Sequence, residues 1–345
     1  MTHQHAKALT ETVQALMAPG KGILALDESN ATCAARFAAV GVPSTPETRR
    51  QYRELLMTAP GAEHHISGAI LYDETLRQAT ADRIPFPTLL QARGQVPGIK
   101  VDTGAKELAN APGEKVTEGL DGLRERLAEY HALGARFAKW RAVIRIGAGL
   151  PSQLCCEANA HAMARYAALC QEAGIVPIFE PEVLIDGDHD IDRCETVTEH
   201  NLRIVFRELQ VHRVLPEGAI LKTSMVISGS GATRRAGVQE VAERTVATLL
   251  RCVPADLGGV VFLSGGQGNV ESTRHLDAMQ RLAVGRTPWP MTFSFARALQ
   301  QPALAIWGAD RRCVAEAQQA FAFRARMNAL AASGEYREAL ETEAA

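Results

Sequence analysis

The stretch GAILKTSMV, residues 218–226, is a short apolar run with a single lysine, Lys222, at its centre. A nearly continuous apolar run of this length is typical of a parallel β-strand that is covered on both faces. A charged amine is costly to keep in such a strand, so burial favours the neutral amine, which is a nucleophile. The alternative is a purely structural role, in which Lys222 is an edge residue or one half of an ion pair.

Seven further apolar runs recur at intervals of roughly 30 to 45 residues, the length of a βα unit. They cover residues 22–29, 68–75, 97–104, 135–147, 174–184, 259–267 and 291–299. Segments with helical patterning, such as residues 117–133, separate the runs, and glycine stands before several of the next strands, as in αβ turns. Eight such units without a break in composition predict an α/β protein with a single (β/α)8 TIM barrel over residues 1–345. An open doubly wound sheet usually shows a glycine-rich phosphate fingerprint after its first strand, and GILALDES has none.

Two additions flank the predicted barrel. An N-terminal helix is expected within residues 1–20, and a C-terminal helix over roughly residues 310–333. The acidic tail that follows, residues 334–345, is expected to be mobile.

The composition narrows the function classes. The chain has 345 residues, 46% of them hydrophobic, and a net charge of −2, which gives no indication of a nucleic-acid or anionic-membrane partner. No apolar run approaches the roughly 18 residues that a membrane span requires. The seven cysteines are scattered without a CxxC pair, and the first residues lack the apolar core of a signal peptide. We therefore expect a cytoplasmic protein.

Polar residues concentrate where the predicted strands end, and this is the end at which barrel enzymes carry their chemistry. These residues are Asp27, Glu28 and Ser29; Asp73 and Glu74; Lys100 and Asp102; Lys139 and Arg141; Glu180 and Glu182; Lys222; Ser264; and Arg297. Residues two apart on a strand point to the same face. Inward-facing charges need a partner or a task, so the set indicates an active site. A purely structural ion-pair network is the alternative.

These residue types together fit Schiff-base chemistry. Lys139 carries a like charge that would favour the neutral form of Lys222. Attack of Lys222 on a ketone would give a protonated Schiff base, an electron sink that permits cleavage of a neighbouring C–C bond. Glu180 is a candidate acid for dehydrating the carbinolamine, and Asp27 is a candidate base for the hydroxyl beyond the broken bond.

Basic residues occur at two places on the predicted rim. Backbone N–H groups of the turn Ser264-Gly265-Gly266, together with Arg297, could hold a phosphate, although such a turn also occurs as a plain strand-to-helix connection. Lys100 and Arg141 lie elsewhere on the rim and predict a second phosphate subsite. The substrate is then expected to carry a phosphate at both ends.

The strings APGKGILALDES, FAKWR, PIFEPEVL, ILK, FLSGGQ and TFSFARALQ occur in this order along nearly the whole chain. In combination they resemble the class I, Schiff-base type of fructose-1,6-bisphosphate aldolase. The resemblance implies a metal-independent (β/α)8 barrel without cofactor, a homotetramer, and the lyase reaction EC 4.1.2.13. In that reaction fructose 1,6-bisphosphate is cleaved reversibly to dihydroxyacetone phosphate and glyceraldehyde 3-phosphate, in glycolysis and gluconeogenesis.

The same resemblance implies a role for each matching residue. Lys222 would form the Schiff base, Glu180 with Glu182 beside it would serve acid–base steps, Lys139 would tune the charge, and Asp27 would be the base at the C4 hydroxyl. The implied substrate contacts are Ser264, Gly265 and Arg297 at the phosphate of the ketone half, Ser29 and Lys100 at that of the aldehyde half, Arg141 on the substrate, and Arg36 as a further basic group.

Three departures from the family pattern bear on these expectations. Ala35 stands where a lysine is common, and Ala296 where a glycine is common. Many family members end in a tyrosine that exchanges a proton on the dihydroxyacetone carbon, whereas here Tyr336 lies short of the end. Our hypothesis is that Glu180 protonates the enamine, or Tyr336 if the tail folds back.

Two other functions compete with this interpretation. A Schiff-base aldolase or transaldolase for another sugar phosphate would not need the two basic subsites. A non-catalytic barrel that serves as a binding scaffold would not need Asp27, Lys139, Glu180 and Lys222 together. The acidic stretch DGDHD, residues 186–190, looks like a metal loop but lacks the closing glutamate of an EF-hand, so no metal site is expected.

Overall fold

The structure, a computed structural model, describes residues 4–342 of the chain. Its centre is a barrel of eight parallel strands in the order β1-β2-β3-β6-β7-β8-β9-β10. The strands are β1 (Gly22–Leu26), β2 (Ile66–Leu71), β3 (Val96–Lys100), β4 (Gly104–Glu107), β5 (Lys115–Glu118), β6 (Phe137–Ile144), β7 (Val176–Val183), β8 (Ile220–Thr223), β9 (Gly259–Phe262) and β10 (Met291–Phe293). The first and last strands come together where the N–H of Ala25 donates to the carbonyl of Phe295, 3.0 Å away. Strands β4 and β5 form a separate antiparallel hairpin.

Helices surround the barrel. They are α1 (Ala6–Leu16), α2 (Asn30–Ala38), α3 (Pro46–Met57), α4 (Asp73–Leu76), α5 (Phe86–Ala92), α6 (Leu123–Ala132), α7 (Gln153–Glu172), α8 (Ile191–Val211), α9 (Val238–Cys252), α10 (Asn269–Ala283), α11 (Arg297–Ala309) and α12 (Val314–Ala332). Side-chain caps fix several starts: Ser29 accepts from the N–H of Thr32 at α2, and Asp190 accepts from that of Arg193 at α8. No helix within residues 4–342 is both long and apolar enough to cross a membrane.

The predicted fold class is confirmed, since each of the eight apolar runs overlaps one barrel strand; β2 and β3 begin two and one residues before their runs. The hairpin of β4 and β5 was not predicted. It also corrects the start of the next helix, which was expected at residue 117 but begins at Leu123, because Thr117 belongs to β5. Gly122 then precedes the helix in the left-handed region at φ +63°, a conformation that glycine adopts without steric cost.

The N-terminal helix closes the amino-terminal end of the barrel. Its buried side chains Leu9, Val13 and Leu16 pack on the apolar residues inside the lower barrel. Those residues are Ile23, Ala25, Ile70, Phe137, Val176, Ile178, Ile220 and Val261. The lower interior is therefore a packed apolar core, and the space for a site lies at the opposite end.

Alternation along the strands carries polar side chains to that opposite end. Ala25 in the apolar interior is followed two residues later by Asp27, and Ile178 is followed by Glu180. The same step leads from Phe137 to Lys139 and from Ile220 to Lys222. Because residues two apart share one face of a strand, the interior positions that hold apolar residues below hold charged residues above.

The segment after α12 makes specific contacts as far as the described residues reach. Tyr336 is only 4% exposed, and its N–H donates to Oδ1 of Asp277 at 3.0 Å. The buried guanidinium of Arg324 donates to both carboxylate oxygens of Glu341 at 2.6 and 2.7 Å. The last three residues of the tail that was expected to be mobile lie outside the described residues. Up to Thr342 the segment is tied to α10 and α12.

Candidate active site

A cavity of about 760 Å³ opens at the carboxyl ends of the barrel strands. The twelve residues that were given a catalytic or substrate-binding role from the sequence all line it: Asp27, Ser29, Arg36, Lys100, Lys139, Arg141, Glu180, Glu182, Lys222, Ser264, Gly265 and Arg297. They come from six of the eight barrel strands and the turns that follow them, except that Arg36 lies in α2 and Arg297 begins α11. Asp73 and Glu74, which were also expected at a strand end of the site, do not line it. The barrel thus brings together groups that are as far apart in sequence as Asp27 and Arg297.

Two lysines and two carboxylates form a continuous buried chain at the floor of the cavity. Nζ of Lys222 lies 3.3 Å from Oε1 of Glu180, and Oε2 of the same carboxylate lies 3.1 Å from Nζ of Lys139. Nζ of Lys139 lies in turn 2.6 Å from Oδ2 of Asp27. The 3.1 Å contact lacks the alignment of a hydrogen bond, so Glu180 Oε2 is held there mainly by charge. Glu180 therefore stands between both lysines.

The opposite charges in this row of buried side chains stabilise one another. Burial would raise the pKa of Asp27 and of Glu180, but the ammonium group of Lys139, with Lys222 behind it, holds both values below their ordinary range. Burial would likewise lower the pKa of Lys139, yet Asp27 and Glu180 raise it above the ordinary lysine value. Lys139 is consequently a permanent cation, and both carboxylates are ionised in the resting site.

Most of the remaining cations of the cavity are each paired with a carboxylate of the same cavity. Lys100 Nζ lies 2.6 Å from Oδ1 of Asp102, and Arg141 donates to Glu182. Arg36 donates to Glu28, which also accepts from Gln300. Such pairs keep the basic side chains in place at the rim before an anion enters.

Arg297 is different, because no hydrogen-bond or ion-pair partner for its side chain occurs within residues 4–342. It is the first residue of α11, and its Nη2 lies over the turn after β9 at Gly266. In that turn Gly265 and Gly266 adopt φ values of +53° and +89°, which glycine tolerates best. An unpaired guanidinium beside a helix N-terminus and a left-handed turn is a place for an anion.

Ala296, which replaces the glycine common in the family, has a φ of −106°, outside the left-handed region that favours glycine. Ala35, which stands where a lysine is common, lines the cavity and leaves Arg36 as the cation of that stretch.

Sequence reasoning missed a buried support beneath the turn formed by Ser264, Gly265 and Gly266. The side-chain amide of Gln267 donates to the carbonyl of Ser264 at 3.0 Å, and Nδ1 of His275 lies 2.5 Å from Oε1 of Gln267. Since that oxygen only accepts, Nδ1 of His275 carries the proton. Burial lowers the pKa of His275 to about 4, so the ring is neutral. A lone histidine within a helical pattern gives no signal of this contact.

Two other lining residues carried no functional prediction. Tyr72, directly after β2, faces the same cavity, and so does Ser294, whose buried hydroxyl has no hydrogen-bond partner within the described part of the chain. Tyr336 does not line this cavity. Its hydroxyl donates instead to Oε1 of Glu341 at 2.9 Å, beside α10 and α12.

A parallel eight-stranded barrel with buried lysines, carboxylates and rim cations at its carboxyl end is typical of barrel enzymes that act on small phosphorylated substrates. Comparison with known proteins defines the family within this class. The profile of the family "Fructose-bisphosphate aldolase class-I" matches residues 8–345. The chain belongs to the class I fructose-bisphosphate aldolase family.

The similarity to individual proteins supports this family assignment. The chain is 58% identical over 330 residues to a protein of Xanthomonas campestris named probable fructose-bisphosphate aldolase class 1, covering 95% of this chain and 98% of the relative. It is 48% identical over 336 residues to Arabidopsis thaliana fructose-bisphosphate aldolase 6, cytosolic, covering 97% and 93% of the two chains. A solved structure of fructose-bisphosphate aldolase from Plasmodium falciparum, in complex with TRAP and a small-molecule inhibitor, superposes with a TM-score of 0.95. It is 44% identical and covers 98% of this chain and 97% of that one. The family, the fold and the lyase activity expected from the sequence are confirmed.

Proposed function

We propose that Lys222 is the residue that forms the Schiff base with the ketone carbon of fructose 1,6-bisphosphate. The observation that carries this proposal is the position of Glu180, 3.3 Å from Nζ of Lys222 and 3.1 Å from Nζ of Lys139. A carboxylate between two ammonium groups can take a proton from one while the other keeps its charge. Lys222 is the nucleophile of the pair because Lys139 is held as a cation.

The first half of the cycle moves one proton to Glu180 and back. Glu180 accepts a proton from the ammonium group of Lys222, and the neutral amine attacks the ketone carbon to form a carbinolamine. Glu180 then returns the proton to the carbinolamine hydroxyl, which leaves as water. The product is a protonated imine, and Glu180 is again a carboxylate.

The second half breaks the C–C bond. Asp27 accepts the proton of the C4 hydroxyl, the electron pair of the C3–C4 bond moves into the imine to give a neutral enamine, and glyceraldehyde 3-phosphate leaves. A carboxylate beside a cation is a weak base, but Lys139, 2.6 Å from Asp27, would equally stabilise the oxyanion that develops beside it. Asp27 afterwards releases its proton to water.

Glu180 is our candidate for protonating the enamine carbon. It takes a proton from water after cleavage and delivers it to the carbon next to the imine, and hydrolysis of the imine then releases dihydroxyacetone phosphate. The position of Tyr336 supports Glu180 over the tail tyrosine, because Tyr336 is buried against Glu341 and Asp277 outside the cavity.

The rim cations suggest how the two phosphates are divided. We assign Arg297, Ser264 and Gly265 to the phosphate of the ketone half, since Arg297 has no competing carboxylate within residues 4–342. Ser29, Arg36 and Lys100 are assigned to the phosphate of the aldehyde half, and Arg141 to the substrate between them. The bound substrate competes with Glu28, Asp102 and Glu182 for Arg36, Lys100 and Arg141, respectively.

Cleavage kinetics test the proposal. Lys222→Met and Lys222→Arg should both lose turnover of fructose 1,6-bisphosphate, because neither side chain can form an imine. A chelator should leave the wild-type rate unchanged. Retained turnover in the variants, or loss of activity with the chelator, would reject the metal-free Schiff-base mechanism. Turnover of another sugar phosphate, but not of fructose 1,6-bisphosphate, would favour a Schiff-base aldolase or transaldolase for that other substrate. No turnover at all would favour a non-catalytic barrel that serves as a binding scaffold.

We also propose a cytoplasmic homotetramer. The plant relative named cytosolic supports the location, and the family resemblance is what supports the tetramer. Light scattering coupled to size exclusion would give the mass of the assembly, and a monomer at micromolar concentration would contradict the proposal.

A further inference from the structure

Two histidines and a glutamate converge on the outer side of the barrel, where α7 lies beside the end of α8. His161 belongs to α7, Glu208 to the last turn of α8, and His212 directly follows that helix. A ring nitrogen of each histidine and a carboxylate oxygen of Glu208 all lie within 4.8 Å of one another. None of the three lines the catalytic cavity.

The orientation of the rings suits metal coordination. Nδ1 of His212 lies 2.9 Å from the carbonyl oxygen of Glu208, an acceptor, so Nδ1 carries the proton and the lone pair is on Nε2. A ligating histidine usually donates its other ring N–H to such a carbonyl, which fixes its tautomer and orientation. Nδ1 of His161 lies 3.4 Å from Oε2 of Glu208, and the two rings are 5.0 Å apart, edge to face. Nδ1 of His212 lies 4.0 Å from the same oxygen, so both rings border it.

The charged neighbours of Glu208 leave its Oε2 atom accessible. Arg207 approaches Glu208 from the other side, 3.6 Å from Oε1, and is shared with Glu157 at the same distance. Arg165 lines an adjoining groove together with His212. The side chain of His161 is 55% exposed, whereas that of Glu208 is 18% exposed, so an ion could enter from solvent and meet a carboxylate that is already held in place.

The donor set selects the class of ion. Two imidazole nitrogens and one carboxylate oxygen are typical ligands for Zn²⁺, with a water molecule in the fourth position. Mg²⁺ and Ca²⁺ prefer oxygen ligands only, and Cu²⁺ and Ni²⁺ also favour nitrogen. We propose that His161, Glu208 and His212 form a binding site for a divalent transition-metal ion, Zn²⁺ by preference, that links α7 to α8. The site lies outside the catalytic cavity, and its existence does not depend on the proposed mechanism.

The experiment counts zinc on the full-length protein after the metal has been stripped with a chelator. Zinc bound per chain is measured by competition with a chromogenic indicator for the wild type, for the double variant His161→Gln/His212→Gln, and for His200→Gln. His200 is a matched control, because it lies on the same face between α7 and α8, bonded to Gln153 at 2.9 Å, but outside the cluster. Histidines and cysteines elsewhere contribute equally to all three proteins.

We expect the double variant to bind one zinc equivalent fewer than the wild type and the His200→Gln control. Saturating zinc should raise the Tm of the wild type by about 2–5 °C and leave that of the double variant unchanged, since an ion that binds only the folded state stabilises it. A Cu²⁺-loaded sample should show two nitrogen ligands by electron paramagnetic resonance in the wild type only. Equal zinc counts in the wild type and the double variant, or no zinc on the wild type, would overturn the proposal. Matching Tm values in the absence of zinc verify that the variants fold.

Discussion

Nζ of Lys222 lies 3.3 Å from Oε1 of Glu180, and both side chains are almost fully buried. The second oxygen of Glu180 faces Lys139, whose raised pKa keeps it charged. One carboxylate thus separates the proposed nucleophile from a fixed cation. Proton exchange between Lys222 and Glu180 has only this short distance to cross, whereas the charge of Lys139 stays in place to stabilise the anions formed beside it.

Removing that fixed cation should slow the chemistry more than it weakens binding. We expect Lys139→Met to lower kcat roughly 10²–10⁴-fold, because Asp27 and Glu180 lose the charge that keeps them ionised. Steady-state cleavage of fructose 1,6-bisphosphate measures this. The matched control is Lys115→Met, which removes an exposed lysine 3.6 Å from Glu107. A kcat within a few-fold of the wild type would show that Lys139 serves stability alone.

The two phosphate subsites should be separable with two substrates. Fructose 1-phosphate lacks the phosphate that we assign to Arg36. We therefore expect Arg36→Gln to raise KM for fructose 1,6-bisphosphate roughly 10- to 100-fold, the effect of one lost charge-assisted contact, and to leave KM for fructose 1-phosphate nearly unchanged. Arg297→Gln should raise KM for both substrates. The opposite pattern would exchange the two assignments.

The buried His275 should make stability depend on pH in a defined window. Its pKa is lowered from 6.5 to about 4 by burial, so the unfolded chain takes up this proton first as the pH falls. The contribution of the neutral, buried His275 to the free energy of unfolding is complete above pH 6.5 and is lost as the pH falls from there through 4. It amounts to at most about 3 kcal/mol.

Chemical denaturation between pH 7 and 4 compares the wild type with His275→Gln. The variant should lose stability less steeply on acidification, and His200→Gln should follow the wild type because His200 is an exposed surface residue. Parallel pH profiles for the wild type and His275→Gln would contradict a neutral, buried His275. A raised KM in His275→Gln would further indicate that Gln267 supports the turn at Ser264, the proposed phosphate subsite.

The hydroxyl of Tyr336 should matter for stability and not for turnover. In Tyr336→Phe the bond to Glu341 is lost, which should lower the free energy of unfolding by about 1–2 kcal/mol. We expect kcat to stay unchanged, since Tyr336 lies outside the catalytic cavity. This substitution is a cleaner test than truncation after Ser333, which would also remove the partner of the buried Arg324. A large fall in kcat with an unchanged Tm would show that the tail enters the site.

Much of the site could be predicted because strand periodicity and barrel topology act together. A polar residue two positions after an apolar interior residue, as Asp27 after Ala25, must lie on the same face, and parallel strands bring all such ends to one rim. For the same reason Lys139 and Lys222, which belong to different strands, could be placed in one cavity. Their roles in catalysis stay predictions.

The features that sequence analysis missed depend on contacts that leave no periodic signal. The hairpin of β4 and β5 interrupts what looked like the start of a helix at residue 117. The bond from His275 to Gln267 depends on how α10 packs under the turn after β9. The anchoring of the tail depends on Arg324, whose burial only the folded structure reveals.

The most direct test of the central claim is borohydride reduction in the presence of dihydroxyacetone phosphate, followed by intact-mass measurement and peptide mapping. Reduction converts an imine into a stable secondary amine. We predict one adduct per chain, located on Lys222, and none in Lys222→Arg. An unmodified wild-type chain, or an adduct on Lys139 with Lys222 untouched, would contradict the account.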